Sequence, residues 1–370
     1  MTRFGPHIAV FSTTAFTICS QRGVTEALAS GFGKSSTKKN KGSSAYSVDV
    51  SLSTKHLLRH LIEVEECEGV ETLDIGFNVD TNLRGLYSRE NFQKGEYICT
   101  VPFVSTVVLD ETFFPTTEPN DEMKLSASRL QNAVTLLELV GKAESPLGSL
   151  YRNALPWSSG DANFSPTPDF WSENDIKELQ VPCIVSDMLT RKEQARTYNG
   201  ADRPSEYTVS ELMHAMWLVR SRAFTTLKKA ITLDMEEGLL QRTVMVPFFD
   251  LLNHKKLCNA RIEVMETKEY EASLYALVAE RNIRKGEEIT ICYGTGEEPS
   301  WELYCKYGFW PEGHGENDEK LVSEVIGSAS WTTTLDEDLD ALEKLSGGDS
   351  INRSILDFRV RLKKAERMMR

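Results

Sequence analysis

Four short segments of this chain carry side chains able to hold and orient a polar ligand. Arg84-Gly85-Leu86 comes first, and Asp250-Leu251-Leu252-Asn253-His254 second. Tyr293-Gly294 closes the run from Gly286 to Cys292, and Tyr304-Cys305-Lys306-Tyr307-Gly308-Phe309 completes the series. An amide, an imidazole and a phenol can exchange hydrogen bonds with a bound molecule. Glycines beside them allow sharp turns and close backbone approach. Each segment alone also has an ordinary structural meaning. Asn-His after a strand is usually a turn, Tyr-Gly is usually a strand end, and an aromatic after a helix is usually core. The seven cysteines, Cys19, Cys67, Cys99, Cys183, Cys258, Cys292 and Cys305, contain no C-x-C or C-x-x-C pair. Zinc is therefore not expected, and no metal is assigned. Several lie in apolar stretches, as buried free thiols do, which suits a reducing compartment.

These segments need elements to position them. Apolar residues at Leu57, Leu58, Leu61 and Ile62 give helical spacing over Ser51–Glu66. After Gly69 the pattern becomes strand-like, with Phe77–Val79, Gly85–Ser88, Tyr97–Val101 and Val104–Leu109 separated by breakers. The middle of the chain reads as helices: Leu125–Val140, Ser145–Pro156, Asn174–Leu179, Val185–Tyr198 and Ser210–Ser221, the last capped by Thr208 or Ser210. Strands then return. Val244–Phe249 leads into Asp250–His254, and Ala260–Glu266 pairs with Ser273–Ala279 across Lys268–Glu271. The turn Arg284-Lys285-Gly286-Glu287 enters a strand over Glu288–Tyr293, copying the earlier turn Lys94-Gly95-Glu96. Trp301–Tyr307 reads as a helix closed by Gly308. Beyond residue 311 an acidic stretch, Asp336-Glu337-Asp338, precedes a basic one, in which Ile355, Phe358, Val360 and Leu362 suit a helix partner. The expected fold class is α+β. An N-terminal helix over 46–70 precedes a mainly β domain over 71–310, split by a helical insert at about 111–220 and followed by a short helical region over 311–370.

Taken together and in this order, the four segments resemble the SET-domain methyltransferases. More narrowly they are similar to the class that includes the Rubisco large-subunit lysine methyltransferase, whose SET domain is split by a helical insert. Ser145-Pro146-Leu147-Gly148, Tyr151, Leu155-Pro156 and Ser221-Arg222-Ala223-Phe224 add to the match. The resemblance covers roughly residues 71–310. It implies small curved sheets with a knot-like threading of the last segment, an exception to the usual avoidance of knots. It also implies transfer of a methyl group from S-adenosyl-L-methionine to the side-chain amine of a lysine in a protein substrate.

That reaction explains the residue types. The methyl donor is a sulfonium cation, and the acceptor lysine is normally protonated at neutral pH. An apolar channel and a nearby sulfonium charge both lower the amine's pKa, so no strong base is required. In-line geometry supplies much of the rest. By resemblance, Tyr293 places its hydroxyl beside the reacting methyl and amine. Tyr307 and Phe309 line the lysine channel, where aromatic faces favour a cation and its alkyl stem. Asn253 holds the amino-acid end of the donor, and His254 contacts the adenine through its backbone. Arg222 helps hold the donor carboxylate. Gly85 admits a close backbone approach to the donor, with Arg84 and Leu86 completing that loop. Two departures stand out. Leu83 occupies the place of the first glycine of the family's Gly-x-Gly loop, and only about 60 residues follow where a large C-terminal lobe begins in relatives. A SET fold that binds a protein partner without turnover, and methyl transfer to histidine, stay open beside the leading reading.

Composition narrows the partners. The formal net charge is -13, and no basic stripe of the kind that meets nucleic-acid phosphates stands out. The acidic balance suits a basic protein segment. No apolar run reaches the roughly 20 residues of a membrane helix, and a monomer is expected. Residues 1 to about 45 hold Arg3, Arg22, Lys34, Lys38, Lys39 and Lys41 against the single acid Glu26, with frequent Ser and Thr. This reads either as a transit segment for a plastid or mitochondrion or as a disordered tail, which leaves cytoplasm or nucleus. Such a composition cannot bury a core. A chain starting near Ser47 is expected to keep its melting temperature, and a large drop in thermal denaturation would show that the segment packs on the body.

Overall fold

The computed structural model describes residues 46–116, 130–142, 145–157, 167–200, 206–231, 237–266, 273–294, 298–311, 325, 327, 329–345 and 350–369. The first 45 residues, the start of the Leu125–Val140 helix and the Lys268–Glu271 turn lie outside the described residues. In chain order the strands are β1 (Tyr46–Val48), β2 (Leu73–Asn78), β3 (Arg84–Ser88), β4 (Tyr97–Pro102), β5 (Val107–Phe114), β6 (Phe224–Ile231), β7 (Glu237–Met245), β8 (Asn253–His254), β9 (Ala260–Glu266), β10 (Ser273–Ala279) and β11 (Glu288–Ile291). The helices are α1 (Leu52–Glu63), α2 (Leu130–Leu136), α3 (Pro146–Ala154), α4 (Glu173–Lys177), α5 (Pro182–Gly200), α6 (Val209–Arg222), α7 (Ser300–Tyr307), α8 (Leu335–Lys344) and α9 (Ser350–Met369). The fold is α+β, with small sheets, and divides into two compact units. Described residues 46–104 and 251–294 form a sheet unit, and residues 105–250 with 298–369 form a helical unit.

In the sheet unit five strands stand in the order β1-β2-β3-β11-β8, and three more in the order β4-β10-β9. The β9–β10 hairpin runs in register from Ala260↔Ala279 to Glu266↔Ser273; β9 alternates polar and apolar residues, whereas β10 is a continuous apolar run buried from Tyr275 to Ala279. Ile75, Leu86, Ile98, Val101, Leu277 and Ile289 fill the core. Helix α1 is capped by the Ser51 hydroxyl, which accepts from the Thr54 N–H, and buries Leu57 and Leu61. Tyr46, at the start of β1, stacks on Tyr87 with ring centroids 4.1 Å apart, so the truncation that tests the leading segment has to stop before it.

The two Lys-Gly-Glu turns face each other. The Lys94 N–H donates to the Asn282 side chain, and the Lys285 N–H donates to the Asn91 side chain, both at 2.9 Å. Between them the Phe92 and Ile283 backbones exchange two hydrogen bonds of 2.9 Å. Gly95 and Gly286 hold φ of +88° and +80°, the left-handed region that a side chain disfavours.

The helical unit carries a sheet ordered β5-β7-β6. Here the structure differs from the expectations. The strand expected over Val244–Phe249 ends at Met245, and a 3₁₀ turn takes Phe249–Leu251. Phe248, at φ +82°, breaks the extended run. β6 was not foreseen, because Lys228 and Lys229 interrupt its β-branched pattern. The strand expected over Val104–Leu109 runs instead over Val107–Phe114. Helix α6 has a capping box between Thr208 and Glu211 and buries Leu212, Ala215, Trp217 and Leu218.

The C-terminal helices join the same unit. Phe358 packs on Tyr304 and Trp310, with centroids 5.8 and 5.7 Å away. Asp338, 1% exposed, accepts from the Arg359 guanidinium and, at 2.6 Å, from the Lys363 ammonium. Removing one side of a buried ion pair strands the other charge. Asp338→Ala is expected to lower stability by about 3–5 kcal/mol; a loss below about 1 kcal/mol in urea denaturation would show that water reaches the two cations.

Candidate active site

The site is built on β11, a four-residue strand with different neighbours at its two ends. Glu288 and Ile289 pair antiparallel with Tyr87 and Leu86 of β3. Thr290 and Ile291 pair parallel with Asn253 and His254 of β8. The Lys255 N–H continues that pairing to the Ile291 carbonyl at 3.0 Å. Strands β3, β11 and β8 therefore lie side by side in one sheet, though the polypeptide between them is long.

Asn253 lies where the three strands meet. Its Nδ2 donates to the Arg84 carbonyl at 3.0 Å and to Glu288 Oε1 at 2.8 Å. Both neighbours are acceptors, so the amide nitrogen has to face them, and Oδ1 is the polar atom that remains. No described group donates to that oxygen. Gly85 has no Cβ because one there would stand 2.7 Å from Glu288 Oε1 and 2.8 Å from Asn253 Nδ2. The bare backbone thus admits the Asn253–Glu288 contact. Leu86 is buried in the core, and Arg84 turns its side chain away from Asn253 to Asp49 Oδ2 at 2.8 Å and the Thr54 hydroxyl at 2.6 Å. Burial opposes ionisation of Asp49, but hydrogen bonds from Thr54 and Ser51 and the Arg84 charge outweigh it and hold its carboxyl below the usual range. The turn before Arg84 does without the first glycine: Asn82 takes the left-handed conformation at φ +55°, and Asn78 Oδ1 accepts from the Asp80 and Thr81 N–H groups.

Tyr293 follows β11 by two residues, before Gly294 at φ +63°. His254 Nδ1 accepts from its N–H at 2.9 Å, and the two rings lie 5.3 Å apart. Its hydroxyl donates to the Leu252 carbonyl at 2.6 Å. The His254 imidazole thus has a task of its own, fixing the Tyr293 peptide. Tyr87, opposite Glu288, has a phenol pushed up to about 12, first by burial and then by the Glu288 charge. It remains a neutral hydroxyl at any physiological pH.

Two residues of this arrangement were missed in the sequence. Asn259, 1% exposed, accepts from the Thr290 N–H at 2.7 Å and donates to the Glu288 carbonyl at 2.8 Å, so its side chain stands in for a strand along β11. Glu288 is the other. Its only signal was an acid set among Ile289, Thr290 and Ile291, which are buried on both faces of the strand.

Arg222, Tyr307 and Phe309 belong to the helical unit. Arg222 donates from Nη1 to the Asp250 carbonyl at 2.8 Å and lies 3.6 Å from its carboxylate, while its buried Nε has no partner. Tyr151 is buried against the same carboxylate, and its phenol is pushed well above the usual range by burial and then by the Asp250 charge. Tyr307 and Phe309 are half-buried, with ring centroids 6.0 Å apart and planes inclined by 36°. Lys306 lies 5.2 Å from the Tyr307 ring, and burial followed by the Arg220 charge holds its ammonium below the usual lysine range. Among the described residues no cluster of His, Cys, Asp and Glu could hold a metal, and no helix is long and apolar enough to cross a membrane.

The pairing of β11 rests on the Asn259 amide. Asn259→Ala strands the Thr290 N–H and the Glu288 carbonyl, and is expected to reduce stability by roughly 2–4 kcal/mol. Equilibrium denaturation checks this, and a neutral result would mean that water replaces the amide.

A family model described as the SET domain matches residues 83–294. A Schizosaccharomyces pombe protein named SET domain-containing protein 8 is 27% identical over 167 residues, covering 43% of this chain and 34% of its own. The Salmo salar N-lysine methyltransferase setd6 is 26% identical over 238 residues, or 60% of this chain and 50% of its own. The chain thus spans half or less of the length of these two curated relatives. Among solved structures, the SET domain of LSMT bound to lysine and AdoHcy superposes with a TM-score of 0.56 at 17% identity, covering 86% of this chain and 90% of that one. Rubisco LSMT bound to AdoMet gives a TM-score of 0.54 at 15% identity over 86% and 91%.

Proposed function

The chain belongs to the SET-domain family, and on that premise we propose that it transfers a methyl group from S-adenosyl-L-methionine to the side-chain amine of a lysine in a protein substrate. The observation that carries the proposal is the ladder that sets the Asn253 amide, the His254 ring and the Tyr293 hydroxyl around one strand end. Relatives named as N-lysine methyltransferases, and similar structures holding lysine and AdoHcy, support it.

Each taken by itself, two side chains have the chemistry of the donor's amino-acid end. Asn253 offers only its amide oxygen, and an oxygen acceptor suits an ammonium and not a carboxylate. Arg222, with a buried Nε lacking a partner, is the type of group that takes a carboxylate. Its hold on Asp250 keeps the guanidinium from swinging freely. When bound, the donor supplies an electrophilic methyl on a sulfonium.

The chain's own residues do the rest in this reading. Tyr293 donates its proton to the Leu252 carbonyl, so its oxygen presents lone pairs to the reacting centre. Because His254 also holds the Tyr293 peptide, ring and hydroxyl are fixed at two points. Preorganised dipoles of this kind stabilise developing charge without reorganising. The half-buried pair Tyr307 and Phe309 has the aromatic chemistry that takes a lysine's alkyl stem and disfavours hydration of its ammonium. Arg84, Gly85 and Leu86 act on the donor through the backbone.

Tyr293→Phe removes a hydroxyl that also serves the fold, so a stability cost of about 1 kcal/mol is expected. The methylation rate should fall far more, on the order of 100-fold, while donor affinity stays within a few-fold. Asn253→Ala should weaken donor binding first. Labelled donor incubated with the protein and a cell extract, followed by mass spectrometry of the labelled proteins, gives the substrate and then the rates. A Tyr293→Phe protein as active as the wild type overturns the assignment.

A further inference from the structure

We infer that Glu288 is a positioning residue for donor binding, acting through Asn253; the inference rests on the donor-binding reading above. An asparagine amide has two faces of opposite chemistry, one that donates and one that accepts. Rotated by half a turn, Asn253 would present N–H groups to an ammonium and repel it. Two acceptors prevent that rotation. Glu288 Oε1 stands 2.8 Å from Nδ2, and the Arg84 carbonyl stands 3.0 Å from it. The carbonyl is a neutral partner fixed by the β3 backbone. Glu288 offers a carboxylate, and hydrogen bonds to charged groups are the stronger kind.

The surroundings are shaped for this contact. Gly85 leaves out the Cβ that would stand 2.7 Å from Glu288 Oε1 and 2.8 Å from Asn253 Nδ2. Glu288 is also held from behind, since its carbonyl accepts from the Asn259 side chain at 2.8 Å and its residue pairs with Tyr87 across β3. The carboxylate thus arrives at Asn253 from a clamped strand and not from a mobile loop. Its effect on a ligand is indirect: Glu288 sets which atom of Asn253 the ligand meets.

The test compares two ligands by calorimetry on the full chain: S-adenosylhomocysteine and its analogue lacking the α-amino group. Glu288→Ala frees the amide to turn, and should weaken S-adenosylhomocysteine binding on the order of tenfold while leaving the des-amino analogue within about twofold. Glu288→Gln keeps an acceptor oxygen toward Nδ2 and should restore most of the difference. Glu288→Asp, whose shorter side chain draws the carboxylate back from Nδ2, should show the same selective loss and serves if Glu288→Ala does not fold. Equal weakening of both ligands, or no weakening of either, overturns the role of Glu288. A wild-type protein that binds neither ligand overturns the donor-binding reading itself.

Discussion

The amide hydrogen of Thr290 is given to a side chain, that of Asn259, and much of the site depends on it. β11 is only four residues long, and its two ends lean on different strands. Such a short strand has little register information of its own. A slip by one residue would turn Glu288 and Thr290 to the face now held by Ile289 and Ile291. Asn259 prevents the slip by gripping Thr290 and Glu288 together, from a position 1% exposed to water. Asn253, His254 and Tyr293 inherit their places from that grip.

The hydrogens described around the site point inward. Both Nδ2 hydrogens of Asn253 go to protein acceptors, the Tyr293 N–H goes to His254, and the Tyr293 O–H goes to Leu252. A surface whose hydrogens are committed in this way offers mainly lone pairs, a chemistry suited to cationic groups. Arg84, the obvious charge of its segment, is held by Asp49 and Thr54, and contributes its carbonyl. Residue type alone did not reveal this division between side chain and backbone.

What the sequence made legible was local. The β9–β10 hairpin follows from two apolar-rich strand stretches set seven positions apart, α6 from its Thr208–Glu211 box, and the end of α7 from Gly308 at φ +81°. Asn253, His254 and Tyr293 were legible from their order along the chain, which marks them without saying what their atoms touch. β6 and the true end of β7 were not legible, because two lysines in one and a positive φ after the other mask the period. Glu288 and Asn259 escaped for a different reason. Each is an ordinary polar residue until a strand from elsewhere in the chain is brought beside it.

The reciprocal clasp of the two Lys-Gly-Glu turns bears on how the chain reaches this state. Its bonds join residues 188 and 194 positions apart, and the Asn253–Arg84 contact spans 169. Closing loops of that size is an entropic toll that local contacts do not share, and topologies dominated by distant pairings fold slowly. Helices such as α6 can form early from neighbouring residues, whereas the ladder has to await the meeting of two remote segments. On this topology the strand end that carries Tyr293 is expected to mature late in folding, and until the two turns engage, β11 and the outer edge of β3 are open to association with other chains.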